Sequence, residues 1–190
     1  MHQLTDYIKI IDNLLSEEDL EIFTEICKKN IFNLQDASVG GAAVVNKKIR
    51  STKNTQMKNF NTNSMTMVYW TNKLYYKFSH AFREYCSKID SCGDLTIAME
   101  DLQLLRYDVG DFYKTHIDSF TQIPRTISYI LLVNDDYKGG ELFFEFSKEK
   151  KMEAEVKKNR LIIWPSNFLY PHGVKEVTEG TKFSVVAWGK

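Results

Sequence analysis

The sequence predicts one α+β domain, with helices in its first half and a β-sandwich or β-barrel in its second half. Its 190 residues suit a single core, and a hydrophobic share of 43% with 26% charged residues is typical of a globular domain. A long apolar stripe and a later series of short β-branched runs carry the prediction. We expect one domain over residues 1–190, with helical support over about 1–92 and a strand-rich core over about 93–190.

The N-terminal part predicts a strand, a short helix and a long helix. Residues 7–15 alternate loosely and predict a strand, whereas residues 16–30 predict a helix with Ser16 as its N-cap. Residues 64–89 predict a long helix, because aromatic side chains recur three and four positions apart. Residues 35–62 are polar and rich in Asn and Thr, so we expect irregular loops that cover a site.

Short apolar runs bounded by turn signals predict the strands of the second half. Each run is rich in β-branched or aromatic residues, and Gly, Pro, Asn or Asp separates it from the next. Their spacing favours an all-β sandwich or barrel. The runs are LTIAMEDLQLLRYDVG, TISYILLVND, GGELFFEF, EAEVKKNRLIIWP and KFSVVAWG.

Charge and cysteine content argue against several partner classes. The 25 basic and 25 acidic residues cancel, so nothing in the net charge favours nucleic acid or an anionic membrane as a partner. The N-terminus lacks the basic region of a signal peptide, and no apolar stretch is long enough to span a membrane. Cys27, Cys86 and Cys92 form no C-x-x-C motif, so we expect reduced core thiols in a cytoplasmic protein.

A histidine and an aspartate stand two positions apart in YKTHIDSF, residues 113–120. On a strand, His116 and Asp118 would project from the same face and could share one metal ion. A non-haem Fe(II) site needs two His and one carboxylate. Of the other histidines, His2 lies at the terminus and His80 in the predicted long helix, whereas His172 ends a hydrophobic strand and is the natural third ligand. A zinc hydrolase could use the same donors.

A lysine ten residues after His172 adds a second signal. A turn at Glu179-Gly180 would send the chain back antiparallel, so that Lys182 would enter the same cavity from the next strand. A buried lysine needs an anionic partner, and the far carboxylate of a dicarboxylate co-substrate could supply it. A zinc hydrolase would not explain this lysine.

Four motifs share spacings with one enzyme family. They are RYDVGDFYKTHID, the strand RTISYILLVNDDYKGGE that opens with Arg and ends in Gly-Gly-Glu, WPSNFLYPH before the distal His, and GTKFSVVAW after it. In these motifs the sequence resembles the 2-oxoglutarate-dependent Fe(II) oxygenases, and more closely their prolyl 4-hydroxylase branch. The resemblance is strong over about residues 100–190 and weak over the N-terminal third.

The resemblance implies a fold, a reaction and three groups of site residues. The fold would be a double-stranded β-helix, or jelly roll, with buttressing N-terminal helices. The reaction would hydroxylate a C–H bond, favouring a prolyl residue of a peptide or protein, with release of succinate and CO2. It would use Fe(II), 2-oxoglutarate and O2, with ascorbate as a further candidate. The implied residues are His116, Asp118 and His172 for the metal, Lys182 and Tyr107 for the co-substrate, and Tyr113, Arg125 and Trp188 for the peptide groove.

Two departures from the family pattern leave other substrates open. Leu132 stands where the hydroxylases usually carry a co-substrate Tyr, and LFFEF follows Gly-Gly-Glu in place of the common T-x-F-P. A free amino acid or small metabolite is therefore an alternative substrate. Nucleobase repair is disfavoured, because Trp188 stands where such enzymes carry a second Arg. A non-catalytic jelly-roll binding module would not need all of the metal and co-substrate residues. We expect the substrate loops within residues 35–62 and around 119–124.

Overall fold

The structure, a computed structural model, describes residues 3–29, 32–39, 44–57, 64–89, 92 and 97–190. In chain order its elements are a 3-10 turn at Leu4–Tyr7, β1 Lys9–Asp12, α1 Glu17–Lys28, β2 Gln35–Asp36, β3 Lys53–Met57, α2 Met65–Ser87, β4 Leu102–Tyr107, β5 Tyr113–His116, β6 Ile127–Leu132, β7 Lys138–Gly139, β8 Leu142–Glu145, β9 Lys151–Glu153, β10 Arg160–Pro165, β11 His172–Val174, β12 Val177–Glu179 and β13 Lys182–Gly189.

The strands form a large and a small antiparallel sheet that share one core. The large sheet has the order β1-β10-β6-β13-β4-β3-β2, the small sheet has the order β5-β11-β8-β9, and β12 pairs with β7. Ile130, Ile162 and Val186 of the large sheet belong to the same buried cluster as Phe144 and Val174 of the small sheet. Strands that alternate between two packed sheets are the arrangement expected of a jelly roll.

The two helices cover the other face of the large sheet. Phe23 of α1 lies 4.8 Å from Trp70 of α2, and Phe78 of α2 stacks at 5.6 Å on Tyr129 of β6, between ring centroids. Because successive strand residues point to opposite faces, Tyr129 packs against the helices while Ile130 faces the barrel interior. Burial of each such large side chain contributes roughly 1.5–3 kcal/mol, so the helices buttress the sheet as predicted.

Both predicted helices begin at serine N-caps. The Ser16 hydroxyl accepts a hydrogen bond from the Asp19 amide, and the Ser64 hydroxyl accepts one from the Met67 amide, each at 3.2 Å. A serine at this position satisfies one of the amides that the first turn leaves without a partner. Neither helix is long and apolar enough to cross a membrane, in the part of the chain that is described. A cytoplasmic location stays a prediction.

The three cysteines are free thiols, as predicted. Cys27 is buried among the side chains between the helices and the large sheet, and burial raises the pKa of its thiol to about 12. Cys86 and Cys92 are partly buried against the same cluster. The cysteines therefore fill the core, although two of them do so incompletely.

The expectation of irregular loops over residues 35–62 is wrong for two segments. β2 and β3 extend the large sheet beyond β4, with Thr55 opposite Leu104 and Met57 opposite Leu102. The sequence signal is missing because β3 is polar. It lies next to the edge strand β2, where a strand need not alternate apolar and polar residues. Gly40-Gly41 and residues 58–62 of this stretch lie outside the described residues.

Candidate metal centre

Strand pairing brings the three predicted ligands together. His116 ends β5 and stands directly opposite His172, the first residue of β11, so their rings lie 4.4 Å apart. Asp118 lies two residues beyond the end of β5, in a bend rather than on the strand as predicted. One ligand atom from each of the three residues lies within 4.8 Å of the others. The three side chains therefore converge on a single point.

Backbone carbonyls fix how both imidazoles are presented. His116 Nδ1 lies 2.9 Å from the Lys114 carbonyl, and His172 Nδ1 lies 3.0 Å from the Tyr170 carbonyl. Each Nδ1–H donates to its carbonyl, so the lone pair is left on Nε2. The two Nε2 atoms face the Asp118 carboxylate at 3.5 Å and 3.3 Å. This is the arrangement in which outer hydrogen bonds orient metal-binding histidines.

A pair of buried serines holds the aspartate. The Ser128 hydroxyl donates to Asp118 Oδ2 at 2.7 Å, and Ser128 and Ser166 share a hydrogen bond of 2.7 Å. All three residues are buried. Sequence reasoning missed both serines, and the available signal was a serine inside the otherwise apolar strand TISYILL. Their hydrogen bonds restrict rotation of the Asp118 carboxylate and so keep it directed at the two histidines.

Electrostatics keep the aspartate ionised. Burial alone would raise the pKa of Asp118, but its close approach to His172 and His116 holds that pKa well below its usual range. Burial lowers the pKa of His116, while the Asp118 carboxylate outweighs burial and raises the pKa of His172. A carboxylate and two imidazole nitrogens form the donor set that suits non-haem Fe(II), because three coordination positions stay open.

Lys182 is fully buried at the start of β13, opposite Tyr107 of β4. Its ammonium donates to the Gly140 carbonyl at 2.6 Å and lies 5.4 Å from the centre of the Tyr107 ring. No carboxylate pairs with it among the described residues, and burial lowers its pKa to about 7. A buried cation with one neutral acceptor can receive an anion.

The predicted route of Lys182 into the cavity needs correction. Gly180 does make the turn, with φ of +78°, but β12 and β13 pair in different sheets. Tyr107 lines the cavity beside the metal centre, whereas Lys182 is not among its lining residues. The ammonium instead donates to the Gly140 carbonyl and lies 5.4 Å from the centre of the Tyr107 ring. Gly140 itself has φ of +66°, as expected of a glycine turn.

Three predicted groove residues line the same cavity. The Tyr113 ring stacks on the His116 imidazole at 3.7 Å, and the Arg125 guanidinium lies 3.7 Å from the centre of a Trp188 ring. Glu100, which sequence reasoning missed, accepts from Arg125 Nη2 at 2.7 Å and from Nε at 3.1 Å. The cavity wall also includes residues from both predicted loop regions, namely Ser38, Arg50, Asn54, Gln56, Phe120 and Ile123.

The C-terminal half of the chain matches a known family. Residues 102–190 match the model of the 2OG-Fe(II) oxygenase superfamily, and this stretch contains all three candidate ligands and Lys182. The chain is 31% identical over 97 residues to a PKHD-type hydroxylase of Rippkaea orientalis. The matched stretch covers 47% of this chain and 42% of the relative. The chain is 39% identical over 66 residues to prolyl 3-hydroxylase 2 of Homo sapiens, covering 34% of this chain and 9% of the relative. The matches span less than half the length of these relatives.

Solved structures extend the likeness to nearly the whole chain. A Trichoplax adhaerens prolyl hydroxylase, in complex with a hypoxia inducible factor oxygen degradation domain peptide fragment, has a TM-score of 0.76 at 18% identity and covers 97% of this chain and 84% of its own. A Pseudomonas putida prolyl-4-hydroxylase has a TM-score of 0.71 at 17% identity and covers 97% of this chain and 92% of its own. At such identities the likeness concerns the fold, and the predicted jelly roll is confirmed. Over residues 102–190, the chain is similar to the 2OG-Fe(II) oxygenase superfamily.

Proposed function

We propose that the chain is an Fe(II)- and 2-oxoglutarate-dependent dioxygenase whose metal is held by His116, Asp118 and His172. One observation carries this proposal: the three ligand atoms lie within 4.8 Å of one another at the mouth of a jelly roll. Fixed tautomers and an ionised aspartate supply the ligand forms that a divalent metal requires. When bound, iron with 2-oxoglutarate and O2 would supply the hydroxylation of a C–H bond with release of succinate and CO2.

The protein's own part is to orient these groups. Ser128 and Ser166 hold the Asp118 carboxylate, so the donor set does not need to rearrange when metal arrives. The helices and the two sheets form one supporting unit around the centre, which is why we propose a single domain over residues 1–190. Burial of Asp118 and His172 keeps bulk water from competing for the donor atoms.

For the co-substrate we propose that Lys182 pairs with the far carboxylate of 2-oxoglutarate. Its ammonium is buried and lacks a carboxylate partner in the described chain, so a dicarboxylate would relieve an unfavourable charge. Tyr107 lies near the ammonium, lines the cavity and can donate its hydroxyl. Ser184 stands opposite Leu132, and its buried hydroxyl has no hydrogen-bond partner in the described residues. We propose that Ser184 offers the co-substrate the hydroxyl that the family's usual Tyr, replaced here by Leu132, would have given.

For the substrate we propose a prolyl residue within a peptide or protein. Tyr113 and Trp188 line the cavity next to the metal centre, and a proline ring packs well against aromatic side chains. Polyproline II segments are already extended and lose little entropy on binding. The prolyl hydroxylase names among the relatives and structural neighbours support this choice. Free amino acids and small metabolites are the alternative, and ascorbate stays a prediction.

The test is 2-oxoglutarate turnover with Pro-rich peptides, free amino acids and nucleic acids, scored by a product gain of about 16 Da for one oxygen atom. We expect a Pro-rich peptide to stimulate succinate formation and to gain this mass. His116→Ala should abolish both signals, whereas the matched change His80→Ala on the exposed side of α2 should retain them. Oxidation of a free amino acid alone would replace the peptide substrate by the small-molecule alternative.

A further inference from the structure

A second arginine, Arg50, lies in the cavity wall next to the metal centre. It forms an isolated β-bridge with Tyr113, and its guanidinium carbon lies 4.7 Å from the centre of the Tyr113 ring. That ring stacks on His116, so one aromatic ring separates the guanidinium from a candidate metal ligand. Arg50 is 8% exposed and lines the cavity. Its charge is therefore held inside the site.

The Arg50 guanidinium is poorly satisfied. Nη1 donates to the Ser38 carbonyl at 3.2 Å, while Nε is buried and has no hydrogen-bond partner in the described part of the chain. No carboxylate forms an ion pair with Arg50 among the same residues. Unlike Lys182, an arginine cannot relieve burial by losing its proton. A permanent buried charge without an anion is unfavourable, and an anionic ligand would remove the penalty.

Arg125 provides an internal comparison in the same cavity. Its guanidinium is paired with Glu100 through two nitrogens and covers the face of Trp188. The charge of Arg125 is thus compensated within the protein, whereas the charge of Arg50 is not. An anion entering the cavity gains more from Arg50 than from Arg125.

We propose that Arg50 binds a carboxylate carried by the substrate, so that the enzyme selects acidic substrates. The inference rests on the proposed function and narrows its substrate class. The carboxylate can belong to a Glu or Asp side chain, or to the terminus of a peptide or free amino acid. Because one ring separates Arg50 from His116, the carboxylate should lie within about two residues of the oxidised position, at ~3.5 Å of extended chain per residue.

Matched pairs of substrates that differ by one carboxylate test the proposal. The first pair is a Pro-rich peptide, capped at both ends, with Glu or Gln beside the target proline. The second is the Gln peptide with a free or an amidated C-terminus, and the third is proline with prolinamide. We expect kcat/KM for oxidation to favour the carboxylate by at least tenfold in one pair, and that pair identifies the source of the carboxylate.

Variants connect this preference to Arg50. Arg50→Gln should reduce the preference to less than about twofold while the amide substrate is still oxidised, and Arg50→Lys should retain part of it. The matched change Arg83→Gln, on the exposed side of α2, should leave the preference intact. The proposal is wrong if, in the wild-type enzyme, the two members of every pair have kcat/KM values within twofold of each other. It is also wrong if the preference for the carboxylate member persists in Arg50→Gln. The wild-type ratios decide even where a variant fails to fold.

Calorimetry of the same substrate pairs, with the protein free of Fe(II), measures binding without oxidation. It therefore tests the role of Arg50 separately from the proposed function. Tighter binding of the carboxylate member, lost in Arg50→Gln, would support the anion site even if no substrate were oxidised. Oxidation of peptides without any preference would support the proposed function and overturn the role of Arg50. Equal binding within every pair would likewise overturn it.

Discussion

Replacing Lys182 with methionine is expected to stabilise the fold and to impair co-substrate binding. The ammonium is fully buried, its hydrogen bond goes to a neutral carbonyl, and burial lowers its pKa from the ordinary 10.5 to about 7. At ~1.36 kcal/mol for each pKa unit, this difference corresponds to about 5 kcal/mol. Methionine has a similar length and no charge, so it removes this cost while it loses a hydrogen bond worth about 1 kcal/mol.

The direction of the pH dependence follows from the same pKa. Below pH 7 the folded protein holds a buried ammonium and bears the full cost. Between pH 7 and 10.5 the unfolded chain still binds the proton that the folded chain has released, so the free energy of unfolding rises with pH. Relative to the Lys182→Met variant, the wild-type protein should therefore gain stability over this window. Above it, the difference between the two proteins should level off.

Urea unfolding of both proteins from pH 6 upwards is the assay, with Lys138→Met on an exposed strand as the control. At pH 6 we expect Lys182→Met to be more stable than wild type by roughly 1–4 kcal/mol, as found for replaced buried charges. Its requirement for 2-oxoglutarate should rise more than tenfold, because an unpaired buried carboxylate costs roughly 2–5 kcal/mol. A variant that is less stable than wild type at pH 6, or one that uses 2-oxoglutarate normally, would refute the reasoning.

Four further variants test the rest of the site. Asp118→Ala should abolish turnover and weaken Fe(II) binding with the fold retained, and calorimetry should show normal metal binding in His80→Ala; normal turnover in Asp118→Ala would contradict the ligand assignment. Ser128→Ala should weaken Fe(II) binding by roughly 10–100-fold, because it releases the aspartate; unchanged affinity in a metal titration would argue against that role. Trp188→Ala and Arg125→Ala should reduce peptide hydroxylation more than the uncoupled decay of 2-oxoglutarate, and equal loss of both rates would place these residues outside the groove.

The apolar strands and the candidate metal ligands were predictable because their signals are local. β6 and β13 are short runs rich in β-branched and aromatic residues, and such a composition favours strands. The H-x-D spacing and the position of His172 at the end of a strand predict the candidate ligand set without knowledge of the fold. The prediction that Asp118 lies on the strand failed, since the strand ends at His116.

The missed residues depend on contacts distant in sequence. Glu100 and Arg125 both lie outside the strands, and Ser128 of β6 meets Ser166, which follows β10, so neither pair has a spacing signal. Arg50 stands in a polar segment whose strand, β3, lacks the alternation that identifies most strands. Burial gives these polar residues their importance, and burial of polar side chains follows from the tertiary fold rather than from local pattern.

The central claim is that this chain couples Fe(II) at the three converging ligands to turnover of 2-oxoglutarate. The most direct test measures succinate formation by the purified protein without added substrate, in which only the slow uncoupled reaction occurs. We predict succinate that requires Fe(II), 2-oxoglutarate and O2 together, and that disappears in His172→Ala. Succinate formation that continues without Fe(II), or at the wild-type rate in His172→Ala, would contradict the account.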